Sequence, residues 1–292
     1  MRFLVTGATG FLGSRIGACL EEAGHEVVRV ARPGGAERAG APEAHRVDAG
    51  DPAVRELVAG TDAVLHFAGI PDPARSRAEP ARAVRENAGT TLNLLEGCAE
   101  HGSALVYPST IRAAAEPLPD AYALTKRLGE ETCRLHPAPA TVIRLTSVFG
   151  PGQVAGEGAT GAIAAFAARA LAGEPIVIPG DPERARDFVY VDDLAPAVAE
   201  LTSAGRWNET LVLASGVSTP LRRAAELVRD AAGSDSPIET PGGSLGPGEN
   251  QTYEADGAGT RLPLAVRPLE EAVALYVDWL RRHPAAQGST GR

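Results

Sequence analysis

Thr6-Gly7-Ala8-Thr9-Gly10-Phe11-Leu12-Gly13-Ser14-Arg15-Ile16 is the stretch that decides the fold. The residues before it, Arg2 to Thr6, are a short, mostly apolar run with strand character. The residues after Gly10 begin a helix-length segment. A strand that passes through Gly-x-x-Gly-x-x-Gly into a helix is the setting of a phosphate-binding turn. Each glycine has a reason: the turn is tight, the backbone must come close to a pyrophosphate, and the helix must pack closely on the strand. The helix N-terminus then offers unpaired N–H groups and the positive end of its dipole to an anion. Gly7, Gly10 and Gly13, with Phe11 and Leu12 between them, are therefore expected to hold a dinucleotide.

Outward from this turn the first half of the chain repeats one rhythm. Short apolar runs at Glu26 to Ala31, Ala63 to Phe67, Ala104 to Tyr107 and Thr141 to Leu145 read as buried parallel strands. Helix-length segments at Phe11 to Ala23, Pro52 to Val58, Ala88 to His101 and Ala121 to Leu135 fill the gaps. The pattern predicts a Rossmann-type α/β fold with a doubly wound parallel sheet over residues 1–150. Beyond Pro151 the sequence changes to Gly/Pro-rich loops and amphipathic helices, expected as a smaller substrate lobe over 151–186 and 215–284. Thr210 to Ala214 is strand-like enough to predict that 187–214 returns to the first domain. The Gly-, Ser- and Pro-rich stretch Gly233 to Gly259 reads as a long loop, and 285–292 as a tail.

The end of the second strand bears on the choice of dinucleotide. An acid there binds the ribose 2′-hydroxyl of NAD, and an arginine accommodates the 2′-phosphate of NADP. The strand ends Val30-Ala31-Arg32, so Arg32 favours NADP slightly over NAD as the cofactor, the alternative being a solvated loop arginine in an enzyme that uses NAD. Asp48, in His45-Arg46-Val47-Asp48-Ala49-Gly50-Asp51, is placed either to accept from an adenine amino group or to cap a turn.

The chemistry points to a helix further on. Among 28 basic residues the chain has one lysine, Lys126, four residues after Tyr122. At that spacing the two side chains share a helix face. A phenol with a pKa of about 10 is a poor base at neutral pH, and an adjacent ammonium brings the phenolate into range. Such a pair can move a proton to or from an alcohol oxygen while hydride passes between its carbon and a nicotinamide. Thr110, in Val106-Tyr107-Pro108-Ser109-Thr110 just after that strand run, is placed to present a hydroxyl to the same oxygen.

These residues resemble the extended short-chain dehydrogenase/reductase family, in its NAD-dependent epimerase/dehydratase branch. TGATGFLGSRI, VDAGD, VLHFAG, ENAGTTLNLLEGC, PDAYALTKRLGEE, RLTSVFGPG and RARDFVYVDDLAPAV occur in family order over nearly the whole chain. The resemblance implies that Asp48 and Ala49 contact adenine, that Ala68 and Gly69 line the ribose, and that Asn87 sits near the cofactor. It implies Thr110, Tyr122 and Lys126 as the catalytic set, with Lys126 also reaching the nicotinamide ribose. Arg186 is implied as the holder of a substrate phosphate, an ion pair with Asp187 being the structural alternative. Ser147 occupies a substrate position where nucleotide-sugar members carry asparagine. The loop between Thr110 and Tyr122 is shorter than is usual in the branch.

The expected function is therefore an NAD(P)-dependent oxidoreductase or epimerase acting on a carbinol carbon of a nucleotide sugar. Ile111 and Arg112 follow Thr110 where 4,6-dehydratases carry an acidic pair, which disfavours that reaction. An NADPH-dependent ketone or aldehyde reductase of a smaller substrate is the enzymatic alternative, and a non-catalytic dinucleotide-binding protein is the other. A formal charge of −9 argues against a nucleic-acid or membrane-surface partner. Cys19, Cys98 and Cys133 form no paired framework and suggest a reducing, cytoplasmic setting, with no metal site expected. Family resemblance further implies a homodimer built on the helices Ala88 to His101 and Ala121 to Leu135.

Overall fold

The computed structural model describes residues 1–34, 43–154, 161–246 and 248–287, which fall into two compact units. In chain order the first half runs β1 (Arg2–Thr6), α1 (Phe11–Glu22), β2 (Glu26–Ala31), β3 (His45–Arg46), β4 (Ala63–His66), α2 (Pro73–Ala78), α3 (Pro80–Val84), α4 (Thr90–His101), β5 (Ala104–Thr110), α5 (Ala121–Leu135) and β6 (Ala140–Leu145). The second half runs β7 (Ser147–Phe149), α6 (Ala162–Ala172), β8 (Ile176–Pro179), β9 (Ala185–Tyr190), α7 (Leu194–Ser203), β10 (Thr210–Leu213), β11 (Ser218–Pro220), α8 (Leu221–Ala231), β12 (Ile238–Gly242), β13 (Thr260–Arg261) and α9 (Leu269–Arg282).

The first unit comprises Met1–Leu145, Leu194–Leu213 and Gly257–Pro263. Its described strands form one parallel sheet in the order β13-β10-β6-β5-β4-β1-β2-β3. This is the Rossmann-type architecture that the alternating runs predict. Strands read as nearly continuous apolar runs because helices cover both faces, and Phe3, Leu4, Val5, Val64, Leu65, Leu105 and Val106 are fully buried. Leu4, Val30, Val64, Leu94, Leu95, Leu105 and Tyr107 share one core; each such aliphatic side chain contributes about 1.5–3 kcal/mol on burial. The strand order reverses between β1 and β4. Ligands of such sheets bind at the carboxyl ends of the strands on either side of that reversal.

The second unit comprises Thr146–Asp193, Ala214–Asp256 and Leu264–Arg292. It carries a three-stranded sheet in the order β11-β9-β7 and a parallel pair of β12 with β8. Phe149, Ile163, Phe166, Ile178, Leu221, Val228, Val273 and Tyr276 build its core from α6, α8, α9 and these strands. The Tyr276 hydroxyl, buried there, donates to the Gln153 carbonyl at 2.8 Å.

Several boundaries differ from the sequence expectation. The return expected over 187–214 begins at Leu194, because β9 finds partners in β7 and β11 instead of in the large sheet. A second return, Gly257–Pro263, adds β13 to the sheet's edge. The loop expected over 233–259 contains β12, which is held by β8. β5 runs on to Thr110 because β6 pairs with it as far as Thr110↔Leu145. Pro108 is tolerated there since β4 pairs only as far as Val106. Pro52–Val58 is a 3-10 helix capped by the Asp51 carboxylate. α4 begins at Thr90 after a π turn over Arg85–Gly89, whose Glu86 and Asn87 carbonyls accept the Thr90 and Thr91 hydroxyls, each at 2.8 Å. Of the expected tail, 285–287 belong to the 3-10 turn Pro284–Gln287, and 288–292 lie outside the described residues. Among the described residues no helix is long and apolar enough to cross a membrane.

Candidate active site

The glycine turn lies at the reversal of strand order. Gly7 has φ +66°, and a Cβ there would stand 2.7 Å from the Phe67 carbonyl and the Ala68 nitrogen at the end of β4. A Cβ on Gly13 would stand 2.4 Å from the Gly7 carbonyl oxygen, so α1 approaches β1 as closely as backbone allows. Gly10 is exposed, is the N-cap of α1, and has no side chain with which to cap it. The first N–H groups of α1, at Phe11, Leu12 and Gly13, are thus left for an anion. These features fit a dinucleotide pyrophosphate.

A one-directional chain of hydrogen bonds fixes the neighbouring β4 tip. The Ala68 N–H donates to Thr6 Oγ1 at 3.2 Å. Thr6 Oγ1 stands 2.8 Å from His66 Nδ1, and His66 Nε2 stands 3.0 Å from Thr90 Oγ1. Thr90 spends its own proton on the Glu86 carbonyl, so it accepts from His66 Nε2–H, and Thr6 therefore donates to Nδ1. His66 is neutral in this chain, its pKa pushed down to about 3 by burial and by the Lys126 charge. In the sequence His66 stands out only as a member of the VLHFAG run.

Ala68 and Gly69 are held next to this chain, and Gly69 has φ +143°. A Cβ on Gly69 would stand 2.5 Å from Asn87 Oδ1. Asn87 is buried, and its amide is spent on protein: Oδ1 accepts the Ile70 N–H at 2.7 Å, and Nδ2 donates to the Ile70 carbonyl at 3.1 Å and to Thr125 Oγ1 at 2.9 Å. Asn87 thus ties the β4 loop to α5. At the other edge, exposed Asp48 accepts the Gly50 N–H at 2.8 Å, which is the turn role, and the buried Ala49 presents its carbonyl to Asn93 at 2.9 Å. Arg32 stands 3.7 Å from the Glu86 carboxylate, and Glu86 also pairs with Arg82.

α5 starts at an Asp120 cap, whose Oδ1 accepts the Ala123 N–H at 2.8 Å, and it carries Tyr122 and Lys126 one turn apart, both half-buried. Lys126 Nζ donates to the Pro108 carbonyl at 2.9 Å and lies over the Tyr107 ring, 5.0 Å from its centroid. Burial pulls the Lys126 pKa down to about 8. Among the described residues the Tyr122 hydroxyl makes no protein hydrogen bond. Burial pushes its pKa up to about 12; Arg112 acts to lower it and Asp120 to raise it. Lys126, expected from its spacing to activate this phenol, is held at the β5 backbone. Thr110 is buried at the end of β5, and its Oγ1 accepts the Arg112 N–H at 3.3 Å. Arg112 in turn pairs with Asp120, which links Thr110 to the start of α5.

Behind α5, Glu130 accepts from Ser109 Oγ at 2.5 Å and from Arg144 at 2.9 and 2.6 Å, while Arg144 also donates to the Ala258 carbonyl at 2.6 Å. This network fixes α5 against β5 and β6. One signal for it was present in the sequence: Glu130 follows Lys126 by one further turn.

Ser147 and Arg186 belong to the second unit. Ser147 pairs with Phe188, and Arg186 pairs with Thr219 in the register of the small sheet. The Arg186 guanidinium donates to the carbonyls of Gln251 at 2.6 Å and Glu249 at 3.1 Å, and it lies over the Tyr253 ring. Asp187, offered as its ion-pair partner, instead accepts from Ser215 N, Gly216 N and Thr146 Oγ1.

A profile of the NAD dependent epimerase/dehydratase family matches residues 3–214. The dTDP-4-dehydro-6-deoxy-D-allose reductase of Streptomyces bikiniensis is 27% identical, with 96% of each chain covered. The UDP-glucose 4-epimerase of Thermotoga maritima, solved with UDP-glucose, superposes with a TM-score of 0.81 at 26% identity, covering 97% of this chain and 99% of that one. The UDP-glucose 4-epimerase of Thermus thermophilus, solved with NAD, gives 0.77 at 27%, covering 97% and 100%.

Proposed function

The chain belongs to the NAD-dependent epimerase/dehydratase family, and on that premise we propose that it transfers hydride reversibly at a carbinol carbon of a nucleotide sugar. The observation that carries this reading is the pairing of the glycine turn, at the reversal of strand order, with Tyr122, Lys126 and Thr110 on the same parallel sheet and its covering helix. A bound NAD(P) supplies the hydride acceptor and donor. Tyr122 takes the proton of the substrate hydroxyl as hydride leaves its carbon, and it returns that proton to the carbonyl oxygen in the reverse direction. Thr110 Oγ1 orients the same oxygen. Lys126 holds positive charge near the reacting oxygen and the nicotinamide ribose. In an epimerase, hydride returns to the opposite face and the cofactor is regenerated in each turnover. Ser147 and Arg186 are assigned to the substrate by family likeness, with Arg186 directed at a phosphate.

Gly7, Gly10, Phe11, Leu12 and Gly13 are assigned to the pyrophosphate, Asp48 and Ala49 to adenine, and Ala68 and Gly69 to ribose. Asn87 acts on the cofactor through the Gly69–Ile70 backbone. Arg32 supports NADP, and Glu86 is the carboxylate that a 2′-phosphate must displace from it. A homodimer is supported by an apolar stripe of exposed Leu124, Leu128 and Leu135 on α5, beside exposed Leu92 on α4. Among the described residues Cys98 and Cys133 carry buried free thiols, which supports a cytoplasmic setting.

A second reading, a stoichiometric NADPH-dependent reductase, is supported by Arg32 and by the reductase name of the Streptomyces relative. One experiment separates the two. The purified protein is denatured, any released dinucleotide is identified, and the stripped protein is titrated with NAD and NADP by nicotinamide fluorescence. Retained dinucleotide near one per subunit supports the epimerase, an empty protein preferring NADPH supports the reductase, and binding of neither overturns both.

A further inference from the structure

The turn between β8 and β9 holds a buried cation with no ion-pair partner among the described residues. Arg184 stands one residue before β9 and is 8% exposed. Its Nη1 donates to the carbonyls of Pro179 at 2.7 Å and Asp181 at 2.6 Å. Among the described residues its buried Nε–H and its Nη2 group have no hydrogen-bond partner, and no carboxylate pairs with it. A buried guanidinium is ordinarily paired, because leaving water without a counter-ion is costly. The edge of Arg184 that lacks partners is Nε–Nη2, which presents two parallel N–H groups at the spacing of two oxygens of a phosphate or carboxylate. Tying the turn takes one nitrogen, and the fold does not use the rest of the fork.

Arg186 brings a second cation to the same face. The pairing of β9 with β11 continues to Arg184, whose carbonyl accepts the Leu221 N–H at 3.1 Å. Arg184 and Arg186, two residues apart on this ladder, therefore project the same way. The segment 249–253 links their surroundings. Arg186 donates to the Gln251 and Glu249 carbonyls and lies over the Tyr253 ring, while Asn250 Oδ1 accepts the N–H of Asp181, whose carbonyl holds Arg184. Thr252 Oγ1 accepts the Ala185 N–H between the two arginines at 3.0 Å.

Resting on the nucleotide-sugar reading, we propose that Arg184 is a second ligand of the substrate's diphosphate beside Arg186, meeting one phosphate with its Nε–Nη2 edge. The acids whose charge reaches Arg184 are Asp181 and Glu249. The Asp181 carboxylate accepts the Glu183 N–H at 2.9 Å, and Glu183 in turn pairs with Arg222. These acids leave the fork of Arg184 itself unfilled, and a doubly charged diphosphate presents the oxygens that fit it.

The test reads binding and needs no turnover. The full-length protein, kept in excess NAD so that the glycine turn is filled, is titrated calorimetrically with UDP, dTDP, the matching nucleosides and inorganic pyrophosphate. Arg184→Gln is expected to weaken UDP or dTDP about 10- to 100-fold, the loss of charge-assisted hydrogen bonds, and to leave the nucleosides unchanged. Arg184→Lys, a point charge without the fork, is expected to lie between the two. If Arg184→Gln does not fold, the parent labelled with 15N at arginine Nε carries the test. The signal missing from Arg184→Lys is then expected to move on addition of UDP and to stay in place with uridine. Equal UDP and dTDP affinity in parent and variants, an equal loss for nucleoside and nucleoside diphosphate, or an Nε signal that UDP does not move overturns the proposal and leaves the proposed reaction standing. A parent that binds neither UDP nor dTDP overturns the nucleotide-sugar reading. Pyrophosphate bound by that parent and lost in Arg184→Gln keeps Arg184 as an anion ligand, and pyrophosphate left unbound removes it as well.

Discussion

The glycine turn and the start of α5 face the same chemistry but are built in different ways. At the turn, backbone does the work: Gly7, Gly10 and Gly13 leave no room or no obstacle where a pyrophosphate must lie, and no titratable side chain takes part. At the start of α5, side chains from the turn after β5, from the helix cap, from α5 and from β6 build a charged corner, in which Arg112 pairs with Asp120 and Glu130 with Arg144. The contrast teaches that a site made of backbone is encoded by the motif itself, whereas a site made of paired side chains is encoded by partners outside it.

Three substitutions strain that contrast, in falling order of effect. Gly13→Ala places a methyl inside the contact between α1 and the Gly7 carbonyl, and neither side is a flexible side chain. Overpacking of this kind costs about 1–3 kcal/mol, so dinucleotide affinity is expected to fall about 10- to 100-fold, as read by nicotinamide fluorescence. Affinity equal to the parent's would mean that the turn is not the cofactor's seat.

His66→Gln probes the hydrogen-bond chain between the two regions. With a folded pKa of about 3 against 6.5 in the unfolded chain, His66 costs nothing above pH 6.5. As pH falls from 6.5 toward 3, the unfolded chain binds a proton that the folded one refuses, and this one group removes about 1.4 kcal/mol of stability per pH unit. Urea unfolding of the parent between pH 7 and 4 is expected to show this slope, and His66→Gln to flatten it. Parallel slopes would mean that His66 is already charged in the fold.

Glu86→Gln makes the smallest change. Its pair with Arg32 is largely exposed, at 56% and 29%, and such pairs contribute no more than about 1 kcal/mol. Releasing Arg32 is expected to shift the NADP-to-NAD affinity ratio a fewfold toward NADP. A shift toward NAD would remove Arg32 from the ribose corner.

The same contrast explains what could be read from sequence. The turn, the helix Ala121–Leu135 and the parallel strands are local patterns, and their sequence bounds match the structure closely. The strand β12 was hidden because its pairing comes from β8, over sixty residues away, and the extension of β5 was hidden by Pro108. That Ile70 and Thr125 consume the Asn87 amide is not visible in the sequence, since neither partner is near it in the chain. The resting place of the Lys126 ammonium was not legible for the same reason: i,i+4 spacing brings Lys126 to the right face of the helix, but the Pro108 carbonyl decides where its ammonium rests.

The most direct test of the central claim, that the glycine turn holds the dinucleotide while Tyr122 moves the proton, is a single-turnover comparison of parent and Tyr122→Phe. Each protein is loaded with NAD or NADPH and mixed with UDP- or dTDP-hexoses or 4-keto-hexoses, and the nicotinamide absorbance is followed. The account predicts that Tyr122→Phe binds the dinucleotide as the parent does but reacts about 10²–10⁴-fold more slowly. Reaction at the parent's rate in Tyr122→Phe would contradict it.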